Sequence, residues 1–306
     1  SLSATRFMNG SVGLVLNNIG NTGIQWETTH RLRVGLDLTE YNNILAFSLN
    51  FFKSYTNNLL TLKSLPEITG EGYYWSNDGS LENIGLDFGV RFKLLNRKNW
   101  KWELGANATA YKNKITALPD GDYTTTIYGA NVLTSVGRAA GVFYGYETDG
   151  VYATQQEAEE AGLTLVSTTG EVTPFAAGDM KFVDHVQDGI INEKDMVVIG
   201  NPNPDVYGNL YSNLSYKRLS LNINFNYSFG NDIYNYQRSQ LESGSQFFNQ
   251  TTALNRRWIA EGHHTDIPKA TFGDPMGNSR FSDRWIEDGS YLRLRSVTLS
   301  YALPVN

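Results

Sequence analysis

The chain has 306 residues, no cysteine and a formal net charge of −6, which excludes a disulfide scaffold and thiolate chemistry. An acidic balance without any Lys/Arg run argues against a nucleic-acid partner. Charged residues make up only 18%, below the roughly one quarter of ordinary globular chains, while Phe, Tyr and Trp reach 13%.

No apolar run approaches the roughly 20 residues of a membrane-spanning helix, and residues 1–9 lack the basic and apolar regions of a signal peptide. The recurrent signal is alternation with period two, which predicts strands. Leu32, Val34, Leu36 and Leu38 alternate with Arg31, Arg33, Gly35 and Asp37, placing a strand within 24–39. Leu45, Phe47, Leu49 and Phe51 do the same within 44–56, and Leu86, Phe88, Val90, Phe92 and Leu94 within 84–95. Trp102, Leu104, Ala106 and Ala108 mark 100–112, and a further strand is expected over 206–216.

Over 219–229, Leu219, Leu221, Ile223, Phe225, Tyr227 and Phe229 alternate without a break with Ser220, Asn222, Asn224, Asn226 and Ser228. Eleven alternating residues are about twice the usual strand of roughly 5 to 6, and match the ~9 to 11 of a tilted strand crossing a bilayer. In the last segment, 291–303, the phase slips between Leu294 and Val297, which predicts a bulge near Arg295 or Ser296.

The connections fall into two classes that take turns along the chain. Residues 40–43, 96–99 and 217–218 are tight turns, whereas 57–83, 113–205 and 230–290 are long. Short turns on one rim and long loops on the other are the asymmetry of outer-membrane barrels. With the short turns periplasmic, 113–205 must hold no spanning strand or an even number, so 123–137 and 141–152 are either two strands or an extracellular hairpin. Counting from Thr5 gives about eight spanning strands, or ten. The last ends at Pro304 with an unpaired edge, which a bilayer does not tolerate, so an internal piece of a larger barrel is expected. The competing reading is a soluble carbohydrate-binding or adhesive β-sandwich, whose half-buried strands also alternate. The fold class is therefore read as all-β, an antiparallel transmembrane β-barrel segment, with residues 1–306 inside one barrel domain.

Several blocks then resemble one family, the SusC/RagA-like TonB-dependent outer-membrane transporters. They are Gln25-Trp26-Glu27, Gly35-Leu36-Asp37 before Asn42-Asn43, and Glu82-Asn83-Ile84-Gly85-Leu86-Asp87. Phe143-Tyr144-Gly145-Tyr146-Glu147-Thr148-Asp149-Gly150-Val151-Tyr152, Gly178-Asp179-Met180-Lys181-Phe182-Val183-Asp184 and Ile199-Gly200-Asn201-Pro202-Asn203-Pro204-Asp205 follow in order. Gly230-Asn231-Asp232-Ile233-Tyr234-Asn235 and Asp288-Gly289-Ser290-Tyr291-Leu292-Arg293-Leu294 complete the set.

The resemblance implies a middle-to-late part of a barrel of about 22 strands around a plug, with the plug, the TonB-contacting segment and the last strands outside these residues. It implies no enzyme but import of oligosaccharides, or of peptides as in the RagA type, across the outer membrane of a Gram-negative bacterium. The implied partners are a SusD-like surface lipoprotein, TonB-ExbB-ExbD acting through the plug, and outer-membrane lipid, and no cofactor is required.

Among candidate sites, residues 184–195 have the spacing of a twelve-residue calcium loop, with Asp184, Asp188 and Asp195 at positions 1, 5 and 12 and Gly189 at 6. A bound Ca²⁺ would take Asp184, Asp188, Asp195 and the Ile190 carbonyl, with Asn192 direct or through water. Val186 at position 3 offers no oxygen and Asp195 is shorter than the usual Glu, so a hydrogen-bonded Asx turn is the competing reading. His263 and His264, flanked by Glu261 and Asp266, suit a solvated loop better than zinc, because neighbouring side chains diverge in an extended segment. No carboxylate pair sits in a motif that singles it out for glycoside hydrolysis. Tyr73, Tyr74, Trp75, Tyr234, Tyr236, Phe247 and Phe248 are read as girdle or loop packing before sugar stacking. Residues 155–162 read as a short surface helix.

Overall fold

The computed structural model describes residues 2–6, 12–16, 21–40, 43–65, 73–118, 121–166 and 170–304. In chain order, β1 (Leu2–Arg6) and β2 (Val12–Leu16) pair only with each other. They are followed by β3 (Thr28–Thr39), β4 (Leu45–Ser64), β5 (Tyr73–Asn96) and β6 (Trp100–Ala117). Short elements come next: β7 (Tyr123–Ile127), β8 (Ala130–Thr134), β9 (Val142–Gly145), β10 (Thr148–Val151), α1 (Gln155–Ala161), β11 (Thr164–Val166), β12 (Val172–Pro174), β13 (Met180–Phe182) and β14 (Val197–Gly200). Then come β15 (Val206–Tyr216), β16 (Leu219–Phe229), β17 (Asp232–Tyr234), α2 (Tyr236–Leu241), β18 (Ile286–Asp288) and β19 (Tyr291–Tyr301).

Seven long strands form one antiparallel sheet in the order β19-β16-β15-β6-β5-β4-β3. This is the wall, and all seven members fall where alternation places them. The eight short strands between β6 and β15 pair among themselves and add nothing to it, so 123–137 belongs to an extracellular hairpin, β7 with β8, and the described wall has seven strands.

Register turns the alternation into two opposite faces. Leu38, Phe47, Val90, Ala106, Leu210, Phe225 and Leu294 are successive partners across all seven strands. The neighbouring row on the other face is Asp37, Ser48, Gly89, Asn107, Asn209, Asn226 and Arg293. The apolar face is uncovered: Leu36 is 53% exposed, Leu292 59% and Leu299 66%. A sandwich buries that face against a second sheet. Here the most buried apolar residues, among them Tyr152, Met180, Ile191 and Trp285, sit in the long connections instead, and the sandwich reading falls.

Six apolar rows stack from the short-turn rim, where Trp100, Tyr216, Leu219 and Tyr301 are partners, up to Val34, Phe51, Leu86, Ala110, Val206 and Phe229. Rows two residues apart at ~3.3 Å per residue give roughly 33 Å along the strand, or about 25 Å of height at a ~40° tilt, the apolar band of an outer-membrane barrel. Trp100 and Tyr216 stack with ring centroids 4.3 Å apart at its lower edge, where a barrel carries its aromatic girdle.

Arg295 is the bulged residue of β19: Asn224 faces Ser296 and the next residue, Phe225, faces Leu294. Leu94 is passed over in the same way opposite Trp102 and Glu103. The stretch 57–83, read as a long loop, is instead largely a continuation of the β4–β5 hairpin, with 66–72 outside the described residues. Two register shifts beside Leu59, with Asn58 at φ 55°, let the strands resume pairing after the alternation is lost. In α1, Thr154 accepts from the Glu157 amide at 3.2 Å and Gly162, at φ 64°, closes the C-terminus.

Candidate functional site

The wall's polar face presents mostly neutral hydrogen-bonding groups. Asp87 pairs with Arg33 and accepts from Thr109 Oγ1 at 2.9 Å, so its charge is neutralised locally. Asn224 donates to Ser296 at 3.1 Å, and the Asn226 Oδ1 is buried without a partner among the described residues. A shallow depression of about 260 Å³ lies among Asp37, Ser48, Arg91, Asn107 and Tyr211. Aromatic rings lie across glycines on both faces. Tyr211 and Phe52 cover their partners Gly105 and Gly85 on the polar side, and Tyr227 crosses Gly208 to donate to the Asn107 carbonyl at 2.9 Å.

Above the wall the two longest connections form a lobe with its own core of Val151, Tyr152, Ala158, Phe175, Met180, Phe182, Ile191 and Met276. Asp179, 1% exposed, accepts from Asn278 Nδ2 at 2.9 Å and the Ala176 amide at 2.9 Å. The Arg280 guanidinium lies 4.8 Å from the Tyr146 ring and 4.6 Å from Phe182, and burial lowers its pKa. Arg284 stacks 4.3 Å from Trp285, and its pKa is lowered to about 10, first by burial and then by the nearby Arg238 charge. Burial raises the Tyr146 and Tyr152 hydroxyls. Gly178, at φ 83°, lies directly under the Trp258 ring, which leaves no room for a side chain.

The residues of the calcium-like loop are brought together, with their carboxylates engaged by backbone amides. Asp184 accepts from Gln187 N at 2.7 Å and Gly189 N at 2.8 Å, Asp188 from Ile190 N at 3.0 Å, and Asp195 from Asn192 N at 2.9 Å and Val186 N at 3.3 Å. Asn192 donates to the Ile190 carbonyl at 3.2 Å. Desolvation pushes the Asp184 carboxyl up, and the amides of Gly189, Gln187 and Asp188 with the Asp195 contact more than offset it, so its pKa is lowered. Among the described residues no group of three or more His, Asp or Glu side chains is arranged around a metal position.

His263 closes a turn by donating its amide to the Ala260 carbonyl at 3.0 Å, His264 follows it, and Glu261 accepts from the Gln155 amide at 2.7 Å. Tyr234 packs on Phe281, with ring centroids 5.2 Å apart, and shares a 2.8 Å hydrogen bond with Ser239. Phe247 is 88% exposed and stacks on Phe272, and Phe248 lies exposed beside it. Asn278, Arg280, Arg284 and Trp285 carry no pattern that singles them out in the sequence; an Arg-Trp pair in a loop was the one local signal of this cluster.

An uncovered apolar band, a polar opposite face, short turns below and a folded lobe above define a segment of an outer-membrane β-barrel wall. Relatives agree. TonB-dependent receptor P3 of Formosa agariphila is 32% identical over 299 residues, covering 95% of this chain and 29% of that protein. TonB-dependent receptor SusC of Bacteroides thetaiotaomicron is 25% identical over 289 residues, covering 92% and 26%. The structure of the RagAB peptide transporter superposes with a TM-score of 0.72 at 23% identity over 99% of this chain and 32% of that one. No protein-family model matches. The chain thus spans about a third or less of the length of each protein it matches. Over nearly its whole length it is similar to one segment of TonB-dependent receptors of the SusC/RagA type, which are outer-membrane proteins of Gram-negative bacteria.

Proposed function

We propose that residues 1–306 form part of one barrel domain through which a nutrient is imported across the outer membrane. The observation that carries this reading is the pairing of a lipid-height apolar face with a mostly neutral polar face on the same seven strands. The proposed cargo is an oligosaccharide: Ser48, Asn107, Asn209 and Asn226 hydrogen-bond hydroxyls without imposing charge. A peptide is the second reading, favoured by the fold-level likeness to the RagAB peptide transporter. TonB-ExbB-ExbD drives the cycle through the plug, and a SusD-like surface lipoprotein covers the loop lobe, whose exposed Phe247, Phe248 and Phe272 suit a protein contact.

Residues 1–306 contain no cysteine, which suits them to a labelling test. Single cysteines are placed along β16 in the full-length polypeptide, in outer-membrane vesicles, and labelled from water or from lipid. Positions 221, 223 and 225 react only with the lipid-dissolved reagent, and 222, 224 and 226 only with the water-soluble one. Odd positions that resist both reagents would sink the barrel assignment and transport with it.

A further inference from the structure

We propose that the lipid-facing side of the wall carries, at its long-loop edge, a groove that holds one outer-leaflet lipid with a phosphorylated headgroup. The proposal rests on the barrel reading of the wall and is independent of the cargo.

The register locates it. None of the six apolar rows on the outer face contains Asp, Glu, Lys or Arg. The next row up is Leu32, Lys53, Ile84 and Lys112, and the one above it His30, Tyr55, Glu82 and Lys114. Three lysines therefore sit on the lipid side within two rows of the upper edge of the band, at the depth of the headgroups. Lys53 is paired with Glu82 at 2.8 Å, while Lys112 and Lys114 have no ion pair among the described residues.

Beneath Lys112 lies a concavity of about 490 Å³ walled by Phe51, Ile84, Leu86 and Ala110, with Asp205 on its far side. Ala110 makes the hollow: its row partners Leu86 and Val206 are large, and its methyl leaves the space between them open. The cavity floor is apolar and spans β4, β5 and β6, whereas its upper rim carries the Lys112 ammonium, with Lys114 one row higher on the same strand. That order, chain below and anion above, is the order of atoms in a phosphorylated amphiphile. Lysines that merely snorkel to water need no hollow beneath them, and an acyl chain alone needs no lysines.

The probe is purified lipid A, titrated onto the full-length polypeptide in neutral detergent and counted as bound adduct by native mass spectrometry, beside the same lipid with its phosphates removed. K112Q/K114Q is expected to weaken lipid A binding about thirtyfold, the loss anticipated for two lysines at an anionic surface. A110F, which fills the hollow and leaves both lysines in place, also weakens it. K217Q, at the opposite rim, leaves it unchanged. Equal binding of the dephosphorylated lipid, or undiminished binding to both the lysine variant and A110F, overturns the proposal. A loss of dimers without a loss of lipid would make a second copy the occupant and overturn it equally. Cysteine labelling that supports the barrel while lipid A binding is insensitive rejects this groove alone.

Discussion

Lys269 Nζ lies 3.1 Å from Asp179 Oδ1, joining the connection between β6 and β15 to the one between β16 and β19. Asp179 is almost wholly buried, and its second oxygen is taken by the Ala176 amide. Asn278, from the same second connection, completes the clamp by accepting from the Met180 amide at 2.8 Å. The lobe is therefore one folded unit held by polar bonds between distant segments as well as by its apolar core.

Removing the carboxylate should release the lobe and leave the wall intact. Asp179→Ala takes the buried carboxylate away from Asn278 and from the partly exposed Lys269, which keeps its bond to the Ala177 carbonyl, at a cost of about 2 kcal/mol. Hydrogen exchange should rise across 142–182 and 254–281 with β15 and β16 unchanged. Exchange that rises equally in the wall strands would show that lobe and wall unfold together.

The glycine under Tyr227 predicts a different kind of damage. A side chain at Gly208 would collide with the Asn107 backbone carbonyl and with the Tyr227 hydroxyl that bonds to it. Gly208→Val should destabilise the wall by about 1 to 3 kcal/mol, as overpacked sites do. It is read as a lowered temperature for loss of heat-modifiable migration in gels. The conservative Tyr227→Phe should cost less, because it loses one hydrogen bond and keeps the ring over the glycine. If both variants melt with the unaltered protein, the cross-strand cover has no structural weight.

The wall was legible because register in a one-sided sheet is written as alternation, and even the Arg295 bulge shows as a slip of phase. The upper part of the β4–β5 hairpin was not, because the register shifts beside Leu59 destroy the period while the backbone goes on pairing. The lobe was opaque for another reason. Arg280 between Tyr146 and Phe182, and Asp179 with Lys269 and Asn278, are made by segments far apart in the chain, so no local spacing announces them. The family blocks around Gly145 and Gly178 did mark the lobe, and their geometry explains the glycines: Phe281 and Trp258 lie where a side chain would begin.

Acid should loosen residues 184–195 before the rest of the lobe. The folded state lowers the Asp184 pKa, so the stability it contributes is complete above the unfolded value of about 3.9 and is lost as pH falls through the folded value. Amide protection at Gln187 and Gly189 is expected to hold from pH 7 to about pH 4 and to drop below it. Asp184→Asn should flatten that profile. A wild-type profile already falling between pH 7 and 5 would mean that another group controls the turn.

Calcium poses the sharper question for the same loop. A cation seated among Asp184, Asp188, Asn192, Asp195 and the Ile190 carbonyl would compete with six backbone amides and with the Asn192 side chain, all of which now bond to those oxygens. Each amide released from a carboxylate into a partly buried turn loses a charge-assisted bond, so binding must first undo the loop's own closure. A calorimetric titration of the full-length polypeptide should therefore show no heat below about 0.1 mM Ca²⁺, and chelator should leave its melting temperature unchanged. Heat that appears in this range and vanishes in Asp188→Asn would mean that the amides yield to the ion, and the turn would then be a cation site.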